Sequence, residues 1–303
     1  MSSQVPDFKA WFPEIDRFPR PDWEAIRTWI QQNVASDRLN HALQAIAREW
    51  LDRLRQSLGE AYTVGESPHF CLLAALNERQ QQSLLAFLED ARGQMLRRLG
   101  DISFPERDGK HVILRFNEEN DYYRYVSYFD HEGEYASSGG RFLRSGYPHI
   151  ACLHREFPGA DHINLVHELT HDFLANLPLP LWLNEALAMA FETDVAGRRI
   201  PPVGQELAAE HQAYWNAQTI QEFWSGLSFS KVDGQRLAYS LASILLDLIA
   251  TELRPSAAHS VTLFSTPIAK TPVRARPGRR SISISAIWWR LSLAPGTGRQ
   301  REF

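Results

Sequence analysis

Cysteine is almost missing from this chain. Two residues, Cys71 and Cys152, among 303 cannot build a disulfide framework. Both sit in apolar runs, where a buried free thiol is the expected state. Long hydrophobic segments are missing too. The longest, Leu237–Ala250, spans about 14 residues and contains Asp247, too short and too polar to cross a bilayer. The opening MSSQVPDFKAWFPEIDRF has no cationic stretch followed by an apolar one, so no secretory signal is expected. No internal repeat is visible. A surplus of positive charge is also missing from most of the chain. The net charge of −4 divides unevenly: residues 265–303 hold eight Lys and Arg against Glu302 alone, leaving residues 1–264 with 24 bases and 35 acids. An acidic body is not built to hold nucleic acid, which needs clustered cations. A soluble, cytoplasmic protein is expected, with no membrane and no nucleic-acid partner for its main body.

What is present is ordinary globular material, 44% hydrophobic and 22% charged. Residues 6–21 are rich in Pro and aromatics and read as an ordered, irregular arm. From Asp22 to about Leu58, apolar residues recur at helical spacing (Trp23, Ile26, Ile30, Val34, then Leu39, Leu43, Ile46, Trp50, Leu54). Asp22 is placed to cap the first helix, and Ser36-Asp37 to interrupt the run and cap the second. Strands are expected at His69–Ala75 and His111–Phe116, with a helix over Arg79–Leu99 between them. Asn120–Phe129 carries aromatics at helical spacing. Arg141–Arg144 and His149–His154 read as a hairpin between Gly-rich turns. Beyond it the chain turns helical: roughly 161–176, 181–195, 204–216, 219–225 and 235–253. A sheet followed by helices predicts an α+β fold, divided as an N-terminal arm and helices (1–60), a central domain (61–258) and a basic Pro/Arg/Ser-rich tail (259–303).

The chemistry gathers around one pentapeptide, His167-Glu168-Leu169-Thr170-His171. On a helix, residues i and i+4 project to the same side, so both imidazoles can grip one metal ion. Glu168 lies beside that ion without ligating it, placed to take a proton from metal-activated water. Chance predicts on the order of a few hundredths of an HExxH in a chain this long. Ile163, Val166, Leu169, Phe173 and Leu174 give the segment an apolar face, and Asp161 is placed to cap it.

A catalytic zinc needs a third protein ligand and one open position. Leu177-Pro178-Leu179-Pro180 must break the motif helix, and Leu181–Phe191 then resumes helical composition. His171 lies seven residues before Pro178 and Glu185 seven after it, each roughly 10 Å from the hinge of a helical hairpin at 1.5 Å per residue. A carboxylate in that apolar segment needs a partner, and a metal ion is a good one.

HELTH followed by PLPLWLNEALA resembles the gluzincin zinc metallopeptidases, most closely the compact peptidase MA-like group, in which HExxH is followed by a W-L-x-E-G-L-A segment. The likeness is strong at the motif and loose over about residues 60–255. It departs at Ala186, where that group often has Gly. The resemblance implies a zincin-like fold, a small mixed sheet with an edge strand over the HExxH helix. It implies one zinc ion on His167, His171 and Glu185, with Glu168 as the general base in hydrolysis of a peptide or protein substrate. It also implies that the strand before the motif, here His149–His154, is the sheet edge lining the cleft, where an extended peptide can add as a further strand. His149 and His154 themselves are expected to be strand-end or surface residues. Gluzincins commonly place a Tyr or His donor on a later helix; Tyr239 is the first candidate and His211 the second. Asp172 or Asp194 could orient the ligand histidines, and spacing does not choose between them.

A second reading of the same motif is a zinc-binding but inactive scaffold that holds a peptide or protein in the cleft. The intact Glu168 favours the enzyme. The tail from about Ser260 has two readings as well: a basic, partly disordered segment that docks on an acidic surface or on nucleic acid, or a frameshifted end. The acidic, helical continuation usual in the resembling family favours the frameshift. Oligomeric state and side-chain specificity leave no mark in the sequence.

Overall fold

The computed structural model of the chain describes residues 8–99, 109–129, 139–156, 159–199 and 203–252. The tail 259–303 lies outside the described residues, and with it both readings of that segment.

The N-terminal arm forms a two-residue hairpin, β1 (Glu14–Ile15) and β2 (Phe18–Pro19), ahead of helices α1 (Trp23–Asn33) and α2 (Leu39–Leu58). Asp22 caps α1 as expected, its Oδ1 accepting from Ala25 N–H at 3.0 Å. Ser36-Asp37 does not cap α2. Residues Ser36–Arg38 form a 3-10 turn, closed by Arg38 N–H to Ala35 O at 2.9 Å, that runs straight into the helix. The helix therefore grows from backbone already coiled and needs no side-chain oxygen at its start.

Next come β3 (Thr63–Glu66), β4 (Phe70–Ala74), helix α3 (Glu78–Leu99), β5 (His111–Phe116), helix α4 (Glu119–Val126), β6 (Gly140–Leu143) and β7 (His149–Leu153). The five longer strands form one mixed sheet in the order β3-β4-β5-β7-β6. β4, β5 and β7 run parallel, and β3 and β6 are antiparallel flanks. Five helices follow: α5 (Ala160–Leu174), α6 (Leu181–Asp194), α7 (Gln205–Tyr214), α8 (Thr219–Ser225) and α9 (Gln235–Glu252). The fold is α+β, and no described helix is long and apolar enough to cross a membrane.

Both sheet faces are covered, which is why β4 and β7 read as unbroken apolar runs and not as alternating ones. Phe70, Leu72, Ile113 and Ile150 point into a core shared with α3, α5, α6 and α9. Leu73, Val112, Leu114 and Ala151 point into a second core with α1, α2 and α4. Cys71 and Cys152 are buried free thiols. Burial pushes the Cys71 thiol up to about 11 and Cys152 higher still, so neither is a nucleophile at neutral pH.

The hairpin before the motif pairs as expected, but the edge is not His149–Leu153. β7 is flanked on both sides, by β5 and β6, and all five of its residues are buried. The outer strand is β6. Leu153 N–H donates to Gly139 O at 2.9 Å. That bond sets the alternation in which the backbone of Gly140 and Phe142 faces away from β7.

Candidate metal centre

Helix α5 carries the HELTH segment and is tied to the central strand at both ends. Arg115 Nε of β5 lies 2.8 Å from Asp161 Oδ2, and His111 Nδ1 lies 2.6 Å from Asp172 Oδ2. Those two acids are eleven residues apart, about 16 Å of helix. These pairs correct two expectations. Asp161 does not cap α5; its carboxylate turns to Arg115 and His154, and the helix starts at Gly159 in a left-handed conformation, φ +81°. Asp172 turns to His111, not to His167 or His171.

Between the clamps, Leu165, Val166, Leu169 and Phe173 bury the helix against the sheet. Thr170 Oγ1 satisfies itself on Val166 O at 2.7 Å. The chain then turns through Pro178 and Pro180, and α6 packs back against α5. The turn brings Glu185 to the two histidines. His167 Nε2 stands 3.2 Å from Glu185 Oε2 and His171 Nε2 3.6 Å from Glu185 Oε1. The three ligand atoms all lie within 4.8 Å of one another, and neighbouring ligand atoms of a four-coordinate zinc are roughly 3.3 Å apart.

The donor set fits such an ion. Glu185 is 8% exposed, and its Oε2 is buried without a hydrogen bond even though His167 Nε2 is near. Two such atoms, 3.2 Å apart, could share one ion. Charge agrees. Glu168, Glu185 and Glu192 contribute three carboxylates against the one guanidinium of Arg198, two negative charges in excess when both imidazoles are neutral. In the absence of an ion a proton answers that excess. Burial disfavours the His167 imidazolium, but Glu185, Glu192 and Glu168 outweigh it and push the group up to about 10. Burial also raises the Glu185 carboxyl, and His167 and His171 more than reverse it, holding it below the usual range.

The groups that orient the histidines come from α6. Glu192 Oε1 lies 2.5 Å from His167 Nδ1, and Asn184 Oδ1 lies 2.8 Å from His171 Nδ1. Each acceptor fixes its ring with Nε2 turned to the centre. Arg198 in turn pairs with Glu192. Sequence reasoning named Asp172 and Asp194 for this role, and Asp194 instead pairs with Arg98 at 3.7 Å. The usable signal was helical: residues 184, 185 and 192 fall on one side of α6.

Glu168 is 8% exposed and sits under the sheet edge, its Oε2 accepting from Phe142 N–H at 2.6 Å. Gly140 makes the approach of β6 feasible. A Cβ there would stand 2.9 Å from Glu168 Cγ and 3.1 Å from Oε1.

Tyr239, on α9, reaches the same place. Its ring is 6.5 Å from that of His167, and its hydroxyl faces Glu185 closely enough to shift both groups. Burial, with the charges of Glu185, Glu168 and Glu192, pushes the phenol far up, so it keeps its proton. His211 is committed elsewhere. Trp215 Nε1, a donor only, gives its proton to His211 Nδ1 at 2.8 Å, so Nε2 carries the ring proton and donates to Ser240 Oγ at 2.9 Å. His149 is in the opposite core, bonded to Tyr125 and Tyr147, and His154 pairs with Asp161.

Neither a protein-family model nor a curated protein matches this chain.

Proposed function

We propose that this chain is a zinc metallopeptidase of the gluzincin type, zincin-like in fold, in which Glu168 is the general base. The observation that carries the reading is the convergence of His167, His171 and Glu185 beside a buried Glu168 that is held by the edge of the sheet. The donor set of two imidazoles, one carboxylate and an open position suits zinc. When bound, zinc supplies Lewis acidity, acidifying water and polarising a carbonyl.

The chain's own residues do the rest. Phe142 N–H fixes Oε2 of Glu168 and leaves Oε1 to receive the proton of the attacking water. As the C–N bond breaks, Glu168 passes that proton to the leaving amine. Tyr239, kept protonated, donates to the carbonyl oxygen as negative charge develops there. β6, the outer strand, is the side of the sheet on which an extended peptide adds. Two unpaired buried thiols suit a reducing compartment such as the cytoplasm.

The deciding measurement is metal content by elemental mass spectrometry, beside a peptide-library cleavage assay. The expected result is about one zinc per chain, lost in His171→Ala, with cleavage that chelator abolishes. Glu168→Gln keeps the zinc and loses cleavage. Folded protein that takes up no zinc overturns the metal reading. Zinc-loaded protein without cleavage overturns the peptidase and leaves the peptide-holding scaffold.

A further inference from the structure

The carboxyl ends of β4, β5 and β7 meet beside the N-terminal ends of α3 and α5. In open sheets the crevice outside the carboxyl ends of parallel strands is where ligands bind. Here it is a cavity of about 420 Å³ with Leu76 and Leu84 on one wall, a size for a small organic molecule.

The lining is also cationic, with Arg79 from α3 and Arg115 from β5. Arg115 is 4% exposed. Its Nε is held by Asp161 and its Nη1 by Asn117 Oδ1 at 2.7 Å, while Nη2 bonds to no described residue and the guanidinium lines the cavity. A donor left over at the cavity is available to an acceptor on a ligand. Asp161, the acid of this cavity, already accepts from Arg115, from His154 at 3.2 Å and from Arg155 N–H at 3.4 Å. Arg79 has no ion-pair partner among the described residues, so the cavity keeps one positive charge in excess. His154 Nδ1 faces the Asp161 carboxylate. His162 stands at the rim, stacked on Phe87 at 4.0 Å. Gly159 gives the first N–H groups of α5 no side-chain cap, which adds the positive end of a 15-residue helix to the same side.

We propose that this cavity is a binding site for a small organic anion, its carboxylate or phosphate group held by Arg115 and Arg79 and its apolar part lying on Leu76 and Leu84. The site is separate from the metal centre and does not depend on the peptidase reading. Asp161 precedes His167 by six residues, about 9 Å along α5.

The test uses the full chain, stripped of metal. Hexanoate, hexanamide and inorganic phosphate are titrated in turn while the imidazole Hε1 signals of His154 and His162 are followed by NMR, assigned through His154→Gln and His162→Gln. Saturable shifts with hexanoate or phosphate, and none with the amide, are expected. Hexanoate alone identifies a carboxylate ligand, and phosphate alone a phosphate one. Exposed Arg79 can be removed without disturbing the core, and Arg79→Ala is expected to weaken binding roughly tenfold or more. No saturable shift with either anion, equal shifts with the amide, or binding unchanged in Arg79→Ala would each overturn the proposal. The Arg115–Asp161 pair would then be only a clamp on α5.

Discussion

Glu192 Oε1 stands 2.5 Å from His167 Nδ1, two helical turns beyond Glu185 on the same helix. One helix thus supplies Glu185, together with the acceptor for His167 and, through Asn184, the acceptor for His171.

Glu192→Ala is expected to weaken zinc binding by roughly 10- to 100-fold while the far-UV spectrum stays native, because the His167 ring loses its fixed direction. Competition with a chromophoric chelator reads this directly. Unchanged affinity would reduce the contact to packing.

The motif and its hinge were legible because helical periodicity and two prolines constrain a local stretch of chain. His167, His171 and Glu185 meet through a six-residue turn, short enough for spacing arguments to reach across. The orienting residues were not legible from charge alone. Asp172 follows His171 directly, yet a neighbour in sequence on a helix is rotated about 100° away, and the sheet claims it through His111. The edge strand was misplaced for a related reason. Both hairpin strands look alike in isolation, and only long-range pairing with β5 turns β7 inward. β1 and β2 left no signal because their turn uses Asp16 and Arg17 at φ 50° and 67°, where a glycine-bearing pair is the usual mark. β3 has four residues and a glycine, Gly65, which lies against Gln81.

Neighbouring glycines at the sheet edge should behave differently. In Gly140→Ala the new Cβ meets the stem of Glu168, 2.9 Å from Cγ, so either β6 or Glu168 must shift. Overpacking of this kind costs about 1–3 kcal/mol. Cleavage is expected to fall at least tenfold, about 1.4 kcal/mol of barrier, with zinc content unchanged. In Gly139→Ala the Cβ meets Asn164 Nδ2 at 2.8 Å, the far end of a side chain that can swing aside. That variant should keep most of its activity. Equal losses in both would show that strand β6 matters and the Glu168 contact does not.

Acid is expected to weaken the fold at Glu89, away from the His167, His171 and Glu185 cluster. Burial raises the Glu89 carboxyl, but hydrogen bonds from Ser67 Oγ (2.6 Å) and His69 N–H (2.8 Å) and the contact with the His69 ring outweigh it, leaving Glu89 below its ordinary value of 4.5. A carboxylate depressed in the folded state contributes stability above its unfolded pKa, lost as pH falls through the folded one. Glu89→Gln should therefore lower the urea midpoint of metal-free protein at pH 7. The gap should narrow below pH 4.5 and close once wild-type Glu89 is also protonated. A gap that persists at low pH would assign the loss to packing.

Tyr239 faces Glu185, and that position allows two roles which one variant separates. If its hydroxyl acts on the substrate carbonyl, Tyr239→Phe removes a donor that matters only as charge develops. The turnover number should then fall on the order of 10²-fold with zinc affinity and KM little changed. If the hydroxyl instead steadies Glu185, the loss should appear in zinc affinity, and saturating zinc should restore turnover. In the metal-free chain, burial and three surrounding carboxylates keep the phenol protonated. Turnover unaffected at every zinc concentration would remove Tyr239 from the site and leave Glu168 as the one proton-bearing group in the reaction.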